Sequence, residues 1–190
     1  MVDNPLAPPE AELHSLHLPE TALSRTIDRF VCWVGEFASL LWTALMLVIV
    51  VQVVARYAFG QGSIMMEELQ WHLYAIGFIL GLSFTEVKER NVRIDVLAEK
   101  FAPRTRQWIE LFGLAALLLP FTLVVIWFAI PFFWSSFTLN EVSAAPGGLP
   151  YRWVLKSFIV SAFALLALVA LGRLTRVLAA LTAQRAAARH

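Results

Sequence analysis

The chain has 190 residues, 59% of them hydrophobic, and a formal net charge of only +1. A soluble domain has a hydrophobic fraction nearer one half, interrupted by polar faces. The near-zero net charge excludes a strongly basic surface for nucleic acid, and the single cysteine, Cys32, excludes an internal disulfide or a CxxC motif.

Long blocks without charged residues predict an all-α integral membrane protein with four transmembrane helices. About 20 consecutive apolar residues are needed to cross a bilayer. The predicted spans are about 35–56, 67–86, 108–134 and 153–175. The second and fourth apolar blocks are short, but long side chains at their ends can reach the membrane surface. The spans belong to one membrane domain, residues 20–180.

Two amphipathic segments accompany the predicted spans. Over 22–34, apolar residues recur at helical spacing: Leu23, Ile27, Phe30, Val31 and Val34. This segment either lies flat at the cytoplasmic interface or extends the first span inward. A second, shorter interfacial helix is predicted at about 92–102, and Pro103 ends it.

The Lys and Arg residues are distributed unequally between the predicted loops and tails. With four spans, the two chain ends and the middle loop carry twelve of the 15, and the other two loops carry three. The positive-inside rule therefore predicts that both termini are cytoplasmic. Residues 1–19 are predicted to be a disordered cytoplasmic tail, without the apolar stretch of a signal peptide, and 181–190 a second cytoplasmic tail.

A group of charged residues lies at the outer end of the first predicted hairpin. Arg56 ends the first span, and Glu67 and Glu68 fall in the first turns of the second. Adjacent helical residues point about 100° apart. We therefore expect one carboxylate to pair with Arg56 and the other to face headgroups, solvent or a partner protein, and the sequence leaves open which. A proton or metal site is disfavoured, because neither carboxylate lies mid-membrane and no cluster of acids or histidines accompanies them.

Several residues within the spans indicate helix packing. Gln52 needs a hydrogen-bond partner inside the membrane, so we expect it to face protein. Gly77 and Gly81 have GxxxG spacing, which permits close approach of another helix. His72 is interpreted as a packing or interfacial residue, since haem ligation would need a second histidine within a span. Pro120 is expected to produce a static kink in the third span.

In their order along the chain, these features resemble the small permease subunit, of the DctQ type, of tripartite ATP-independent periplasmic (TRAP) transporters. That family typically has Arg-Tyr at the end of the first span and an acidic pair opening a glycine-rich second span. A hydrophobic–Asp–hydrophobic patch follows. Here the corresponding residues are Arg56-Tyr57, Glu67-Glu68, Gly77 with Gly81, and Ile94-Asp95-Val96. This chain has Asn91 where many members have a histidine before that patch.

The resemblance implies a non-enzymatic role in the bacterial inner membrane. In the family, the small subunit forms a heterodimer with a large, many-span permease subunit, and a periplasmic binding protein delivers an organic acid. The small subunit is a scaffold for the elevator motion of the large subunit in sodium-driven uptake. It has no cofactor of its own, and the sodium belongs to the partner. The candidate residues then have structural roles or contact the partner or lipids: Arg56, Glu67, Glu68, Gly77, Gly81, Gln52 and Asp95.

Two alternative functions are weighed against this one. A membrane anchor for a redox complex would carry haem or quinone, and the missing second histidine in a span argues against it. A small homo-oligomeric channel would need polar residues repeated along one face of a span, and only Gln52 and His72 qualify.

Overall fold

The computed structural model describes residues 19, 21–88 and 101–187, with the backbone alone at 103 and 184–187. These residues form five α-helices and a short π-helical segment: α1 (Ala22–Phe59), α2 (Ile64–Val87), α3 (Pro103–Phe112), the π segment (Gly113–Leu118), α4 (Leu119–Thr138) and α5 (Trp153–Ala187). The predicted all-α fold class is confirmed. The interfacial helix predicted at about 92–102 and nearly all of the tail 1–19 lie outside the described residues. α5 continues to Ala187, into the segment predicted as the C-terminal tail.

α1 is one continuous helix of 38 residues. It begins with a capping box, in which the Ser24 amide donates to Thr21 Oγ1 at 3.2 Å and the Thr21 amide donates to Ser24 Oγ at 3.2 Å. It ends at Gly60, whose φ of +66° is the left-handed conformation that glycine adopts without strain. The amphipathic segment 22–34 is thus an extension of the first helix. At 1.5 Å per residue α1 is about 57 Å long, well beyond a hydrocarbon core of about 30 Å.

Three helical stretches of the described chain are long and apolar enough to cross a membrane: Ala22–Phe59, Arg104–Thr138 and Trp153–Ala183. α2 is not among them, since polar residues occupy much of its first three turns. With 24 residues it is nevertheless about 36 Å long, which is sufficient for the hydrocarbon core. The second predicted span, at about 67–86, stays a prediction.

α5 is the central element of the bundle. It packs against α1, α2, α3, the π segment and α4, while α1 and α2 form an antiparallel hairpin beside it. The main core joins α1, α2 and α5 through seven buried residues: Val31, Ala38, Ile76, Leu80, Ala162, Leu165 and Val169. A second cluster joins the π segment to α5 through Leu114, Ala170, Val177 and Leu181. We call the end with loops 60–63 and 139–152 the loop end, and the opposite end the tail end.

α4 buries only small side chains against the rest of the described structure. Its buried residues are Thr122, Ala129 and Ser136, which are spaced seven residues apart and therefore lie on one narrow face. Most of its large apolar residues are exposed, among them Phe121, Trp127, Phe128 and Trp134. Small residues at a helix interface allow close backbone approach within a membrane. The remaining surface of α4 is apolar and open to lipid or to another protein.

The π segment ends at Leu118, two residues before Pro120. The Leu119 amide donates to the Leu114 carbonyl, five residues earlier, which is the wide turn of a π-helix. Pro120 has no N–H to donate to the previous turn. The widened turn lets the helix continue through the proline into α4.

Candidate functional site

A groove of about 270 Å³ runs between α1 and α2 at the loop end. Its α1 wall is formed by Ile49, Gln52, Val53, Arg56 and Tyr57, and its α2 wall by Glu67, Gln70 and Trp71. Within each wall the residues follow the i, i+3, i+4 pattern, which places these side chains on one face of each helix. The groove therefore collects several of the polar residues that the sequence singled out.

Two glutamine side chains that line this groove form a hydrogen bond with each other. Gln70 Nε2 donates to Gln52 Oε1, and Gln52 is only 5% exposed. A buried amide needs such a partner, particularly where water is excluded. Gln70 was not among the residues predicted from the sequence. The signal that could have found it is its position one turn from Glu67, on the same face of α2.

Glu68 points to another side of α2 and contacts the loop 139–152. Its carboxylate accepts a hydrogen bond from Ser143 Oγ and another from the Leu149 amide, at 2.6 Å. Gly148 lies so close that a Cβ there would be 2.8 Å from Glu68 Oε2 and 2.6 Å from Ser143 Cβ. Glu68 thus fixes a loop that is distant in sequence, and that loop needs glycine at 148.

The expected ion pair between Arg56 and one of the two glutamates is not formed in the described part of the chain. Glu68 is engaged by the loop, and Glu67 lines the groove together with Arg56 without bonding to it. Both Arg56 and Glu67 are exposed. An ion pair between two exposed, flexible side chains is weak, because water screens it and ordering both chains costs entropy.

The loop 139–152 is held by a second charged contact. Lys156 donates to the Glu141 carboxylate, and this bond holds the pKa of Glu141 below its ordinary value. Lys156 Nζ also lies 3.9 Å from the centre of the Phe132 ring. The Arg152 amide donates to the Glu141 carbonyl at 3.1 Å, which closes the loop at its base. The loop is therefore tied to α2 by Glu68 and to α5 by Lys156, and the Glu141 amide donates to the Ser136 carbonyl of α4 at 3.1 Å.

The glycines of α2 contact α1 unequally. A Cβ on Gly77 would lie 3.4 Å from the Trp42 ring, whereas a Cβ on Gly81 would meet nothing within 4 Å. The tightest contact involves Gly35 of α1, where a Cβ would lie 2.3–2.8 Å from the Phe84 side chain. Gly35 was not predicted as a packing residue, because it has no second glycine at GxxxG spacing.

A charged network joins the helices towards the tail end. Arg173 Nε donates to Glu110 Oε1, and Arg173 Nη1 lies 3.3 Å from Glu86 Oε1, so this one side chain links α5 to α2 and α3. Arg176 donates to Asp28 and, at 2.8 Å, to Ser24 Oγ, which links α5 to α1. From the sequence, Arg173 and Arg176 contributed only to the predicted topology.

The remaining candidates have limited roles in the structure. His72 Nδ1 lies 2.7 Å from the Glu68 carbonyl oxygen of its own helix. Asp95 lies outside the described residues. Within the described ranges, no group of three His, Cys, Asp or Glu side chains could hold a metal ion.

A family model described as "Tripartite ATP-independent periplasmic transporters, DctQ component" matches residues 45–180. The chain belongs to this family. The match covers most of the chain, so this DctQ chain is a small membrane subunit of a TRAP transporter. Neither the curated proteins nor the solved structures give a match.

The family match includes the groove and the loop 139–152, together with Arg173 and Arg176. The first half of α1 precedes the match. In this DctQ chain, that half carries Gly35, which contacts Phe84, and Asp28, which pairs with Arg176. The structure therefore joins residues before the matched region to residues within it.

Proposed function

We propose that this DctQ subunit is a non-catalytic scaffold for a large permease subunit in the bacterial inner membrane. The pair would take up an organic acid delivered by a periplasmic binding protein, with sodium bound by the large subunit and no cofactor in this chain. α2 would cross the membrane as the second of four spans, and both termini would be cytoplasmic, so the loop end would face the periplasm.

The main support for this proposal is that charged side chains at both ends of the described bundle hold its helices and its loop 139–152 together. At the loop end, Glu68 and Glu141 hold the loop 139–152. Towards the tail end, Arg173 and Arg176 hold α5 to α1, α2 and α3. These contacts brace helices against one another, as a fixed support for a moving partner requires. A transport path would instead need polar groups facing an opening at mid-membrane.

The apolar surface of α4 supports a role in assembly. Trp127 is 75% exposed, Phe128 69% and Trp134 61%. α4, which carries these residues, lies within the region that matches the family. The bilayer or a second membrane protein can cover such a surface. A support for a large permease subunit needs a broad face of this kind, and α4 offers it without disturbing the contacts that hold α5.

The proposal is tested by purifying the tagged chain in mild detergent and identifying the proteins that accompany it. We expect a many-span membrane protein in stoichiometric amount. The complex is then reconstituted in liposomes with a binding protein and an organic acid, under a sodium or a potassium gradient. Uptake should require the sodium gradient and this subunit. A chain purified alone as a stable homo-oligomer, or sodium-driven uptake by the large protein without it, would contradict the scaffold function.

A further inference from the structure

The groove between α1 and α2 contains two opposite charges that are not used to hold the bundle. Arg56 and Glu67 both line it, both are exposed, and they form no ion pair with each other. By contrast, neighbouring Glu68 and the more distant Lys156 are each engaged in contacts that hold the loop 139–152. The charges of the groove are therefore available to a ligand that carries one charge of each sign.

The position of the groove restricts the kind of ligand it can meet. Arg56 is near the end of α1 and Glu67 near the start of α2, on either side of the short loop 60–63. This inference rests on the proposed four-span arrangement. In that arrangement, the groove lies at the periplasmic surface of the inner membrane, where the membrane meets water. Tyr57 and Trp71 border the groove and are 84% and 71% exposed. Such aromatic side chains at an exposed helix end are typical of the headgroup region.

The lining of the groove changes along its length as a phospholipid does. Arg56 and Glu67 lie nearest the helix ends, Val53 and the Gln52–Gln70 bond lie about one turn deeper, and the apolar side chain of Ile49 lies about one turn further along α1. A phosphate would pair with the Arg56 guanidinium, and a primary ammonium would pair with the Glu67 carboxylate. The acyl chains would follow the apolar wall of α1.

We propose that this groove is a binding site for a zwitterionic phospholipid with a primary ammonium, of the phosphatidylethanolamine type. Arg56 binds the phosphate, Glu67 binds the ammonium, and Tyr57 and Trp71 flank the headgroup. An anionic phosphatidylglycerol lipid satisfies Arg56 but leaves Glu67 facing a negatively charged neighbour. A phosphatidylcholine lipid has no N–H to donate to Glu67. The site therefore selects by headgroup.

The test uses the detergent-purified complex of this chain with its large subunit, exchanged to remove lipid and titrated in native mass spectrometry. Phosphatidylethanolamine, phosphatidylglycerol and phosphatidylcholine with identical acyl chains are compared. For wild type we expect phosphatidylethanolamine to bind most tightly. Arg56→Gln should weaken binding of all three lipids about fivefold, the effect of losing one cation at a membrane surface.

Glu67→Gln gives the sharper result, because it removes the repulsion of an anionic headgroup together with the attraction for an ammonium. It should weaken phosphatidylethanolamine and strengthen phosphatidylglycerol, so that the preference between them disappears. Arg29→Gln and Glu36→Gln are matched controls, since both residues are exposed on α1 and lie outside the groove. Both controls should bind lipids as wild type does.

Two results would overturn the lipid site. One is unchanged lipid binding in both Arg56→Gln and Glu67→Gln while the large subunit is retained, which would show that the two charges bind no lipid. The other is unchanged lipid binding together with loss of the large subunit from these variants, which would make the groove a protein contact. Recovery of the large subunit with the wild-type chain is recorded in the same preparations, and it reports on the proposed scaffold function separately from the headgroup preference.

Discussion

The carboxylate of Glu68 holds a loop whose residues lie 75 and 81 positions further along the chain. It accepts from a hydroxyl and from a backbone amide, and hydrogen bonds to an ionised acceptor are stronger than those between neutral groups. Its neighbour Glu67 is exposed and has no such contact with the loop. Two identical side chains, adjacent in sequence, therefore have different roles, because the helix points them in different directions.

Glu68→Gln should loosen the loop 139–152 without unfolding the helices. The variant loses the charge that strengthens both hydrogen bonds, and its amide nitrogen cannot accept one of them. We expect faster hydrogen exchange in peptides that cover 143–149, measured by mass spectrometry. Glu67→Gln is the matched control and should leave those peptides unchanged. Equal exchange in the two variants would show that Glu68 does not hold the loop.

The contact between Glu141 and Lys156 gives the same loop a dependence on pH. Because Lys156 lowers the pKa of Glu141 in the folded chain, the contact contributes fully above the ordinary carboxyl pKa of about 4.5 and is lost as pH falls through the lowered value. Hydrogen exchange of the loop, corrected for the intrinsic effect of pH, should therefore rise below about pH 4.5 in wild type. In Glu141→Gln it should change less over the same range. Parallel pH profiles would rule the contact out as the cause.

At the scale of the elements, α1 and α2 pack closely at a position where only glycine fits. Gly35 faces the Phe84 side chain so closely that a Cβ would lie 2.3 Å from a ring atom and 2.8 Å from Phe84 Cβ. The second distance involves an atom fixed to the backbone, so rotation of the ring cannot relieve the clash. α1 and α2 would have to move apart.

Gly35→Ala should therefore destabilise the chain by about 1–3 kcal/mol, the usual cost of overpacking. Unfolding by increasing SDS in mixed micelles would measure it. Gly81→Ala is the matched control, because a Cβ there meets nothing within 4 Å. Adding Phe84→Ala to Gly35→Ala should recover part of the loss, because it removes the ring atoms at 2.3 and 2.6 Å and leaves only the contact with Cβ. A Gly35→Ala chain as stable as Gly81→Ala would contradict the close packing of these two helices.

Arg173 joins three helices through one buried side chain. It is 7% exposed, and the carboxylates that it contacts, Glu86 and Glu110, are 16% and 14% exposed. Arg173→Met leaves both carboxylates without this cation, and breaking a buried pair costs about 3–5 kcal/mol. The SDS titration should show that loss.

The triple variant Arg173→Met, Glu86→Gln and Glu110→Gln distinguishes a buried ion pair from simple packing. Removing all three charges together avoids an uncompensated buried charge, so much of the stability should return. Arg176→Gln is a useful comparison, because Arg176 and Asp28 are more exposed, at 20% and 24%, and the loss should be smaller. Failure of the triple variant to recover would indicate that the Arg173 side chain matters for its volume.

At the scale of the whole molecule, the properties that could be predicted from sequence are the local ones. Runs of apolar residues and their spacing identify helices, because these patterns depend on near neighbours. The order of short motifs was enough to indicate the family. The contacts of Glu68 with the loop and of Arg173 with Glu110 could not be predicted, since they join residues 63 to 81 positions apart.

The prediction for Arg56 was wrong for a related reason. The sequence shows that Arg56 and the two glutamates lie at similar depth, and it cannot show which way α2 is rotated about its axis. That rotation turns Glu68 towards the loop 139–152 and leaves Glu67 beside Arg56 in an exposed groove, where an ion pair gains little. Contacts across the bundle determine such a rotation, and a single sequence does not contain them explicitly.

The number of spans decides which side of the membrane the groove faces, and it can be measured directly. By length and composition, three helical stretches of the described chain are apolar enough to cross the membrane. The chain has four spans only if α2 crosses as well. If α2 crosses, the loop 60–63 and the start of α3 lie on opposite sides of the membrane. If it does not, they lie on the same side. Since twelve of 15 basic residues fall on one side in the four-span arrangement, we expect α2 to cross.

A cysteine-labelling experiment separates these two arrangements. Cys32→Ser removes the single native thiol, and Gly62→Cys or Thr105→Cys then places one thiol at an exposed position. In intact cells with a permeable outer membrane, an impermeant thiol reagent should label Gly62→Cys, and it should label Thr105→Cys only after the inner membrane is opened. Ala144→Cys, in the loop 139–152, should behave as Gly62→Cys does. If Gly62→Cys and Thr105→Cys were labelled alike, α2 would lie on one side of the membrane, and the groove between α1 and α2 could not have the outer-interface position proposed for it.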